Sequence, residues 1–470
     1  MGAIVGPIEG GRRGWPFSAP LADAFAFDTV VEEFFLEGEA TAYELEPGAE
    51  AAIDGHWSVR PYATAPYRTR ILVVRPSDPN DFNGVVLVNW QNVTLGFDAG
   101  TPQRFTLAAG CAWVGVTAQR VAIEGYPGTE QSALRGWDPD RYGSLHHPGD
   151  DFSFDVYTQA ARALAPDRAR EPVDPLGGLP VQKLLGTGSS QSAMRMRGYL
   201  NAVHPLDRVL DGASLLADFG VASVPDTRGA DPAGDDLRIL PTVPAQVRDD
   251  LDVPVMVLNS ESEVLRAYPV RQPDTDTFRY WEVAGVTHSA GIDPVARLAV
   301  MARDEVGTSA GAGSAAAGPS DANVLSFVPV NKAALQHAQT WLLTGIAPPI
   351  QPRVDVDPGP PPVIRRDADG NATGGIRIPD MAVPTGAHEG LRPAEQRLNT
   401  LIGVSRSFGD DVLQARYPDR ATFVTAYTAA VEACVGAGVV LPEDRDDLDA
   451  RGEALAEQIV AWEPTGSVER

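Results

Sequence analysis

Residues 184–195 read Leu-Leu-Gly-Thr-Gly-Ser-Ser-Gln-Ser-Ala-Met-Arg. A short apolar run reaches glycines and serines, and a segment of good helix formers follows, which predicts a strand, a sharp turn and a helix. Within it, Gly188-Ser189-Ser190-Gln191-Ser192 has the small-x-Ser-x-small pattern of a nucleophile elbow. In such a turn the middle serine projects its hydroxyl above the sheet, at the positive end of the helix. The stretch therefore predicts Ser190 as a nucleophile.

A serine-rich loop that ends at an ordinary helix N-cap would give a similar sequence, because serine is favoured at that position. Ser192 stands where the elbow pattern has its last glycine, and Ser189 offers a neighbouring hydroxyl. A serine needs a base and a carboxylate to become a good nucleophile. The choice between the two interpretations therefore depends on an acid and a histidine further along the chain.

Composition describes an ordinary globular protein with a sizeable core. The chain has 470 residues, of which 43% are hydrophobic and 21% charged, and its 38 basic and 63 acidic residues give a net charge of −25. Such a surface repels nucleic acid and anionic membranes and favours solubility. We therefore expect no nucleic-acid partner and no membrane partner.

Cysteine usage and the N-terminus point to the cytoplasm. The two cysteines, Cys111 and Cys434, cannot form a disulfide framework, and Cys111 lies in an apolar run typical of a buried side chain. Residues 1–7 lack the basic start and long apolar core of a secretory signal. No run approaches the roughly 18 apolar residues of a membrane span. We expect a cytoplasmic protein.

Buried strands alternate with helices along the chain. Residues 28–75 alternate in β fashion, in runs at 30–36, 40–45 and 69–74 with glycine and proline between them, and predict three antiparallel strands at one edge of a sheet. The continuous apolar run at residues 84–90 then predicts a strand that is covered on both faces. Residues 112–118 and 209–217 predict further buried strands, and residues 253–259 and 278–283 predict the last two strands. The pattern predicts an α/β fold with a mostly parallel, doubly wound sheet, in which sites lie at the carboxyl ends of the strands.

The domain organisation is predicted from the segments between these strands. Residues 1–395 form the α/β domain, and residues 124–151 and 218–244 are cap insertions, because both are long and rich in loop-forming residues. The aromatic character of the first insertion predicts that Trp137 and Tyr126 line a substrate pocket, and we add Asn92. Residues 396–470 read as a helical extension that packs on the domain, with helices that could support a homo-oligomer.

An acid and a histidine follow Ser190 in the order typical of serine hydrolases. The predicted strand at 253–259 leads to Glu261 and Glu263, and the strand at 278–283 leads to His288. Of the seven histidines, His288 alone follows a strand in the last position of the sheet. Either glutamate could orient the imidazole, and Asp218, after the preceding strand, is a weaker third candidate.

Two N–H donors should stabilise an oxyanion. One is predicted to be the backbone of Gln191, directly after the nucleophile. The other should come from the loop after the strand at 84–89, from Trp90, Gln91 or Asn92, although Trp90 could equally be a packing residue. His146 and His147 lie in no cluster with metal-ligand spacing, so we expect no metal and no cofactor.

The chain resembles the "alpha/beta hydrolase domain" family of large bacterial serine hydrolases, within the α/β-hydrolase superfamily. The resemblance is carried by four stretches that lie before about residue 395: residues 37–43, 188–192, 281–288 and 369–379. It implies the α/β-hydrolase fold, with Ser190 as nucleophile and His288 as base. It favours Glu263, since an acid after Ser-Glu-Ser/Thr is the family's pattern. Ala193 replaces a more usual glycine, which concerns helix packing.

Together these observations predict a serine esterase or lactonase that cleaves a small, largely apolar ester or lactone through an acyl-enzyme. An acyltransferase with the same triad is one alternative. A non-catalytic ligand-binding protein that retains the fold is another.

Overall fold

The strands in the described part of the chain form one large sheet and three small ones. The computed structural model describes residues 2–22, 24–25, 28–169, 172–225, 242–307, 320–392, 400–459 and 462. Its strands are β1 (Ala3–Val5), β2 (Thr29–Leu45), β3 (Val59–Pro76), β4 (Val85–Trp90), β5 (Ala112–Val116), β6 (Lys183–Ser189), β7 (Gly212–Leu216), β8 (Val221–Ser223), β9 (Thr242–Pro244), β10 (Val255–Ser260), β11 (Phe278–Val283), β12 (Val356–Asp357), β13 (Val363–Ile364), β14 (Gly386–Glu389) and β15 (Val404–Ser407).

Helices connect most of these strands and form the C-terminal part of the chain. They are α1 (Arg104–Ala108), α2 (Arg120–Glu124), α3 (Leu134–Trp137), α4 (Pro139–Tyr142), α5 (Ser153–Arg162), α6 (Gln191–Ala202), α7 (His204–Asp207), α8 (Glu261–Ala267), α9 (Pro294–Arg303), α10 (Val328–Thr344), α11 (Pro379–Ala382), α12 (Asp410–Arg416), α13 (Arg420–Gly436) and α14 (Arg445–Glu457). Within the described residues, no helix is both long enough and apolar enough to span a bilayer.

The large sheet has nine strands in the order β1-β2-β3-β5-β4-β6-β7-β10-β11. Strands β1, β2, β3 and β5 pair antiparallel, and all pairs from β5 to β11 are parallel. The predicted fold, a mostly parallel sheet with antiparallel N-terminal strands, is confirmed. Parallel strands need crossover connections, which the helices supply here.

Both faces of the sheet are buried, as the apolar runs require. In β4, Val86, Val88 and Trp90 belong to one core, together with side chains of α5 and α6 such as Tyr157. The alternate residues Val85 and Leu87 belong to the other core, which includes side chains of α10. Successive side chains of a strand point to opposite faces, so one continuous apolar run serves two cores.

The N-terminal strands are longer than the sequence predicted. Three short strands were expected between residues 28 and 75, whereas β2 and β3 are 17 and 18 residues long and pair over their whole length, with one register shift between Ala42 and Tyr43. Gly38 was read as punctuation, but it lies inside β2. A Cβ there would approach the Cα of Gly2 at 3.1 Å, so this glycine allows the close approach of the chain at β1.

The predicted insertions and the C-terminal extension differ from simple loops and helices. Residues 124–151 contain the short helices α3 and α4, and β8 pairs with β9 at the two ends of the 218–244 segment. Residues 226–241 of that segment lie outside the described residues. Strands β14 and β15 pair antiparallel from either side of the predicted boundary at residue 395. The domain division stays a prediction.

His204, just after the elbow helix, should make the fold sensitive to acid. Its imidazole is buried, neither ring nitrogen has a hydrogen-bond partner among the described residues, and burial lowers its pKa to about 4. As the pH decreases, the unfolded state binds a proton at this histidine before the folded state does. The contribution of His204 to the free energy of unfolding is therefore full above pH 6.5 and falls as the pH decreases towards 4. At pH 5 this one group should lower the free energy of unfolding by about 2 kcal/mol.

Denaturant unfolding at pH 7.5 and pH 5 measures the effect. The loss of unfolding free energy between the two pH values should be smaller in His204→Phe by about that amount. An equal loss in both proteins would show that His204 is not the group responsible.

Candidate active site

Ser190 lies in a strained turn between strand β6 and helix α6. Its backbone has φ 57° and ψ −118°, a region that residues other than glycine rarely occupy and that recurs at functional sites. Its N–H donates to the carbonyl of Leu216 in the neighbouring strand β7, at 2.9 Å. The turn therefore fixes Ser190 at the carboxyl end of the sheet.

The small residues of the elbow have separate structural reasons. A Cβ at Gly188 would lie 2.5 Å from the carbonyl oxygen of Ser192, so no larger residue fits without a shift of the backbone. Ser192 replaces the last glycine of the pattern and is buried. Its hydroxyl donates to the carbonyl of Ser189 and accepts from the N–H of Ser189, both at 2.9 Å. The substitution therefore adds two hydrogen bonds across the turn.

The structure brings Ser190, His288 and Glu263 into one hydrogen-bonded chain. Nε2 of His288 lies 2.8 Å from Oγ of Ser190, and Nδ1 of His288 lies 2.6 Å from Oε1 of Glu263. The Glu263 side chain is fully buried, and that of His288 is 11% exposed. This order of atoms lets the imidazole accept a proton from the serine while the carboxylate holds its other nitrogen.

Glu263 is held in place by the start of helix α8. Its second oxygen, Oε2, accepts from the N–H of Ser260 at 2.8 Å and from the Ser260 hydroxyl at 2.6 Å. These contacts form a capping box, in which the glutamate at the third helical position reaches back to the N-cap residue. The same carboxylate therefore caps the helix with one oxygen and contacts His288 with the other.

The other two candidate acids lie elsewhere. Glu261 is buried and accepts from the N–H of Gly285 at 2.7 Å, from Arg366 at 2.8 Å and from the N–H of Gly390 at 3.1 Å. Asp218 is buried and pairs with Arg197. Each of these carboxylates links separate segments of the chain and is occupied by its own donors, so neither faces the imidazole.

Two residues that the sequence analysis missed hold His288. The Ser262 hydroxyl accepts from the N–H of His288 at 3.0 Å and donates to the carbonyl of Gly390 at 2.6 Å. The Phe219 ring stacks on the imidazole, with centroids 5.0 Å apart and an interplanar angle of 21°. The Ser-x-x-Glu signature at 260–263 was a usable signal for Glu263. No local pattern identifies Ser262 or Phe219.

Two backbone N–H groups near Ser190 are open. Those of Gln191, at the start of α6, and of Asn92 have no acceptor among the described residues. The Asn92 side chain donates to the carbonyl of Ser189 at 2.9 Å, which ties its loop to the elbow. Both residues were predicted as oxyanion donors, and that role stays a prediction.

Of the other two predicted donors, Gln91 is already engaged and Trp90 is packed in the core. The N–H of Gln91 donates to the carbonyl of Val116 at 3.2 Å. Trp90 ends strand β4, and its fully buried indole stacks on Tyr157 with centroids 4.7 Å apart. Both side chains are buried in the core. Trp90 therefore has the surroundings of a packing residue, which the sequence analysis gave as its alternative role.

A buried polar network braces this corner of the site. Gln119, after strand β5, accepts from the side-chain amide of Gln191 at 2.9 Å and from the indole of Trp90 at 3.2 Å. Its own amide donates to Asp150 at 3.0 Å, and Asp150 also accepts from Arg195 at 2.8 Å. Helix α6 is thereby connected to the segment 124–151, a connection that sequence spacing does not reveal.

The predicted pocket residues have different positions. Trp137 is buried in a cluster with Phe17, and its indole donates to the carbonyl of Asp304 at 2.7 Å, so it is a packing residue. Tyr126 is also buried, and its hydroxyl donates to the carbonyl of Val93 at 3.3 Å. Of the three, Asn92 lies beside the elbow.

An apolar wall adjoins His288 instead. Met194 of α6, Phe219 and Val221 form a buried cluster, and Leu401 packs against it. Because Phe219 stacks on the imidazole, this cluster borders the proposed site directly. None of its members was predicted, since they come from three distant parts of the chain.

The histidines of the described residues offer little to a metal ion. The ring nitrogens of His147 contact the carbonyl of Ala118 and the N–H of Gly149. Exposed His56 lies between Asp249 and Asp250, in the one group of potential metal ligands found in the described part of the chain. Its Nε2 contacts the first and its Nδ1 the second, and because these nitrogens point in opposite directions, the arrangement resembles an ion-pair cluster.

Comparison with known protein families agrees with the fold. A family model described as "Alpha/beta hydrolase domain" matches residues 4–450. The chain belongs to this family. The match covers the sheet, all the residues of the proposed site and most of the C-terminal helices of this alpha/beta hydrolase, which confirms the family suggested by the sequence. No curated protein sequence matches the chain significantly.

Solved structures of esterases show distant similarity to this member of the family. Esterase Est22 has a TM-score of 0.31 at 13% identity and covers 61% of this chain and 80% of its own. Acetyl xylan esterase 1 from Thermoanaerobacterium sp. JW/SL YS485 has 0.26 at 14%, with 56% and 87% covered. An esterase from Rhizomucor miehei has 0.27 at 12%, with 58% and 82% covered.

Alanine should have opposite effects on stability at two glycines, one in the elbow and one in a helix. Gly188→Ala should lower the free energy of unfolding by about 1–3 kcal/mol, because the new methyl meets the backbone of Ser192. Gly436→Ala, near the end of helix α13, meets nothing within 4 Å and should raise it by about 0.5 kcal/mol. Denaturant unfolding measures both. A neutral Gly188→Ala would show that the turn tolerates a side chain.

Proposed function

We propose that this alpha/beta hydrolase is a serine hydrolase that cleaves a carboxylic ester or lactone through an acyl-enzyme. The observation that carries the proposal is the hydrogen-bonded chain Ser190–His288–Glu263, placed at the carboxyl ends of parallel strands. Membership of a hydrolase family supports the reaction class. The proposal does not rest on the solved esterase structures, whose similarity to this chain is low.

In the first half-reaction, Nε2 of His288 takes the proton of Ser190 as Oγ attacks the ester carbonyl. The bond formed joins Oγ to the carbonyl carbon, and the electron pair of the C=O bond moves to the oxygen. That oxyanion accepts from the N–H groups of Gln191 and Asn92. Glu263 stabilises the imidazolium through Nδ1–H and keeps it oriented.

The tetrahedral intermediate then collapses. The C=O bond re-forms, the bond to the leaving oxygen breaks, and Nε2–H of His288 protonates the departing alkoxide. Water repeats the sequence on the acyl-enzyme, with His288 as base, and releases the acid and Ser190. With an alcohol instead of water the same steps would transfer the acyl group.

The apolar wall beside His288 indicates where the leaving group of the substrate would lie. Because His288 protonates the leaving oxygen, the alcohol part of the substrate must lie next to the imidazole. Phe219 stacks there, with Met194 and Leu401 in the same cluster. We therefore propose that the alcohol part is apolar, so that its burial contributes to binding.

Active-site labelling tests the nucleophile. A fluorophosphonate should react once per chain and add its phosphonyl mass to the peptide that contains Ser190, because only an activated serine displaces the fluoride. Ser190→Ala should not be labelled, and the matched variant Ser189→Ala should be labelled like the wild type. Peptide mass spectrometry reads both outcomes. Labelling that persists in Ser190→Ala would place the nucleophile elsewhere.

Two glutamate variants separate chemistry from stability. Glu263→Gln should reduce kcat for ester hydrolysis by about 10³–10⁴-fold with little loss of stability, because an amide neither orients Nδ1–H correctly nor stabilises the imidazolium. Glu261→Gln should reduce kcat by less than about tenfold but lower the unfolding free energy by about 1–3 kcal/mol, since Arg366 loses its closer charged partner and keeps only Glu389, at 3.7 Å. Equal effects on kcat would contradict the assignment of the acid.

A further inference from the structure

The two hydrogen bonds of His288 do not fully fix its ring. Nε2 lies 2.8 Å from Oγ of Ser190 and Nδ1 lies 2.6 Å from Oε1 of Glu263, so the two nitrogens are held in place. These contacts resist only weakly a rotation of the ring about the line that joins the nitrogens, because the last torsion of a histidine side chain has a broad energy minimum. In an acyl-enzyme, Oγ of Ser190 carries the acyl group and no longer donates to Nε2. The plane of the imidazole then needs another restraint.

The ring of Phe219 lies where it can supply this restraint. It stacks on the imidazole with centroids 5.0 Å apart and an interplanar angle of 21°, an arrangement that aromatic rings favour. A rotation of the imidazole plane would drive its edge into the face of the phenyl ring. Phe219 is itself buried, and the guanidinium of Arg266 lies 5.1 Å from its centroid, a cation–π contact that helps to hold the ring.

The turn that carries Phe219 is strained and firmly anchored. Ala217 has φ 53°, in the left-handed region that residues with a side chain rarely adopt. Its N–H donates to the carbonyl of Leu258 at 2.8 Å. The backbone N–H and C=O of Asp218 form hydrogen bonds with the side-chain amide of Asn259, at 2.7 and 2.8 Å. Strained backbone persists only where its surroundings hold it, and it occurs often at functional sites.

The same turn is tied to both helices of the proposed site. Asp218 forms a buried salt bridge with Arg197 of α6, the helix that begins directly after the proposed nucleophile. Gly220 packs against the end of α8, whose first turn carries the proposed acid. A Cβ at Gly220 would lie 2.7 Å from Cα of Ala267, so only glycine allows this approach. Phe219 is therefore fixed relative to both helices.

We propose that Phe219 is a positioning residue that sets the plane of the His288 imidazole. The inference rests on the proposed function and assigns the residue to one step of it. During the attack, the hydrogen bond from Ser190 also aligns the ring. When Nε2–H protonates the leaving oxygen, Oγ is already bonded to the acyl carbon and that hydrogen bond is absent. Loss of the stack should therefore impair leaving-group protonation more than the attack.

Two acetate esters separate these steps. Phenyl acetate and 4-nitrophenyl acetate differ little in shape, but phenoxide is the more basic leaving group and needs the proton more. Phe219→Leu keeps an apolar side chain and removes the flat ring. It should lower kcat/KM by about 10–100-fold for phenyl acetate, and by less than about fivefold for 4-nitrophenyl acetate. Weaker binding of the alcohol part alone would lower both values by a similar factor.

Two further variants serve as controls. Phe219→Tyr keeps a flat ring and should keep the wild-type ratio of the two kcat/KM values. Phe278→Leu makes the same substitution at a phenylalanine that is also buried, at the opposite end of strand β11 from the proposed site. It should lower the Tm, as Phe219→Leu does, and leave the ratio unchanged. An equal loss for both esters in Phe219→Leu, or the same change of ratio in Phe278→Leu, would overturn the inference.

Fluorophosphonate labelling distinguishes failure of this inference from failure of the proposed function. Fluoride leaves without a strong need for a proton, so Ser190 should be labelled in Phe219→Leu within about fivefold of the wild-type rate. Labelling in both proteins together with an equal loss for the two esters would refute the role of Phe219 and leave the proposed function standing. A wild type that is neither labelled nor active on either ester would refute both.

Discussion

The parallel pairing of strands β6, β7, β10 and β11 is the constraint on which the proposed site depends. Ser189 pairs with Leu216 of β7, Leu216 pairs with Leu258 of β10, and Ser260 of β10 pairs with Val283 of β11. The carboxyl ends of these strands are therefore level, and the turns that follow them carry the proposed nucleophile, acid and base. Ser190 and His288, 98 positions apart in sequence, meet within 2.8 Å for this reason. The buried runs on both faces of the sheet fix the register and hence the site.

The acid shows how one side chain can satisfy local and distant requirements together. Glu263 completes the capping box of α8 with one oxygen and reaches His288 with the other. The cap restricts the rotamers of the glutamate before the imidazole arrives, so the contact with His288 needs little additional ordering. Ser262, between the two candidate glutamates, fixes the backbone of the histidine itself. Three successive residues of one helical turn thus serve three different purposes.

The sequence predicts those parts of the molecule that depend on local patterns. The fold follows from apolar runs and their spacing, and Ser190 and His288 follow from their places after strands. The capping-box pattern at 260–263 is a local signal for Glu263, whereas the contacts that occupy Glu261 come from Arg366 and Gly390, 105 and 129 positions along the chain. Those contacts are long-range, so periodicity contains no trace of them.

The misplaced residues have a common physical cause. Trp137 was expected in a pocket because it lies in an aromatic, loop-like stretch, but that stretch folds into short helices that bury it. Gln91 was expected as a donor, but the ladder between β4 and β5 continues one residue further than the apolar run suggests. In both cases a helix or a strand pairing extends past the segment in which the sequence pattern is visible. The side chains of Trp137 and Gln91 are therefore buried in the core.

The hairpin of β14 and β15 links the C-terminal part of the chain to the proposed chemistry. Its Gly390 contacts both Ser262 and Glu261, and Leu401 packs beside the ring that covers the imidazole. A Cβ at Gly390 would lie 2.6 Å from Cβ of Glu261, so this glycine is fixed by its surroundings. A family that retains its proposed nucleophile, acid and base can instead diversify at Leu401, because replacements there reach the apolar wall of the proposed site without altering a reacting group. A classification based on the three reacting residues alone would then group together proteins that prefer different substrates.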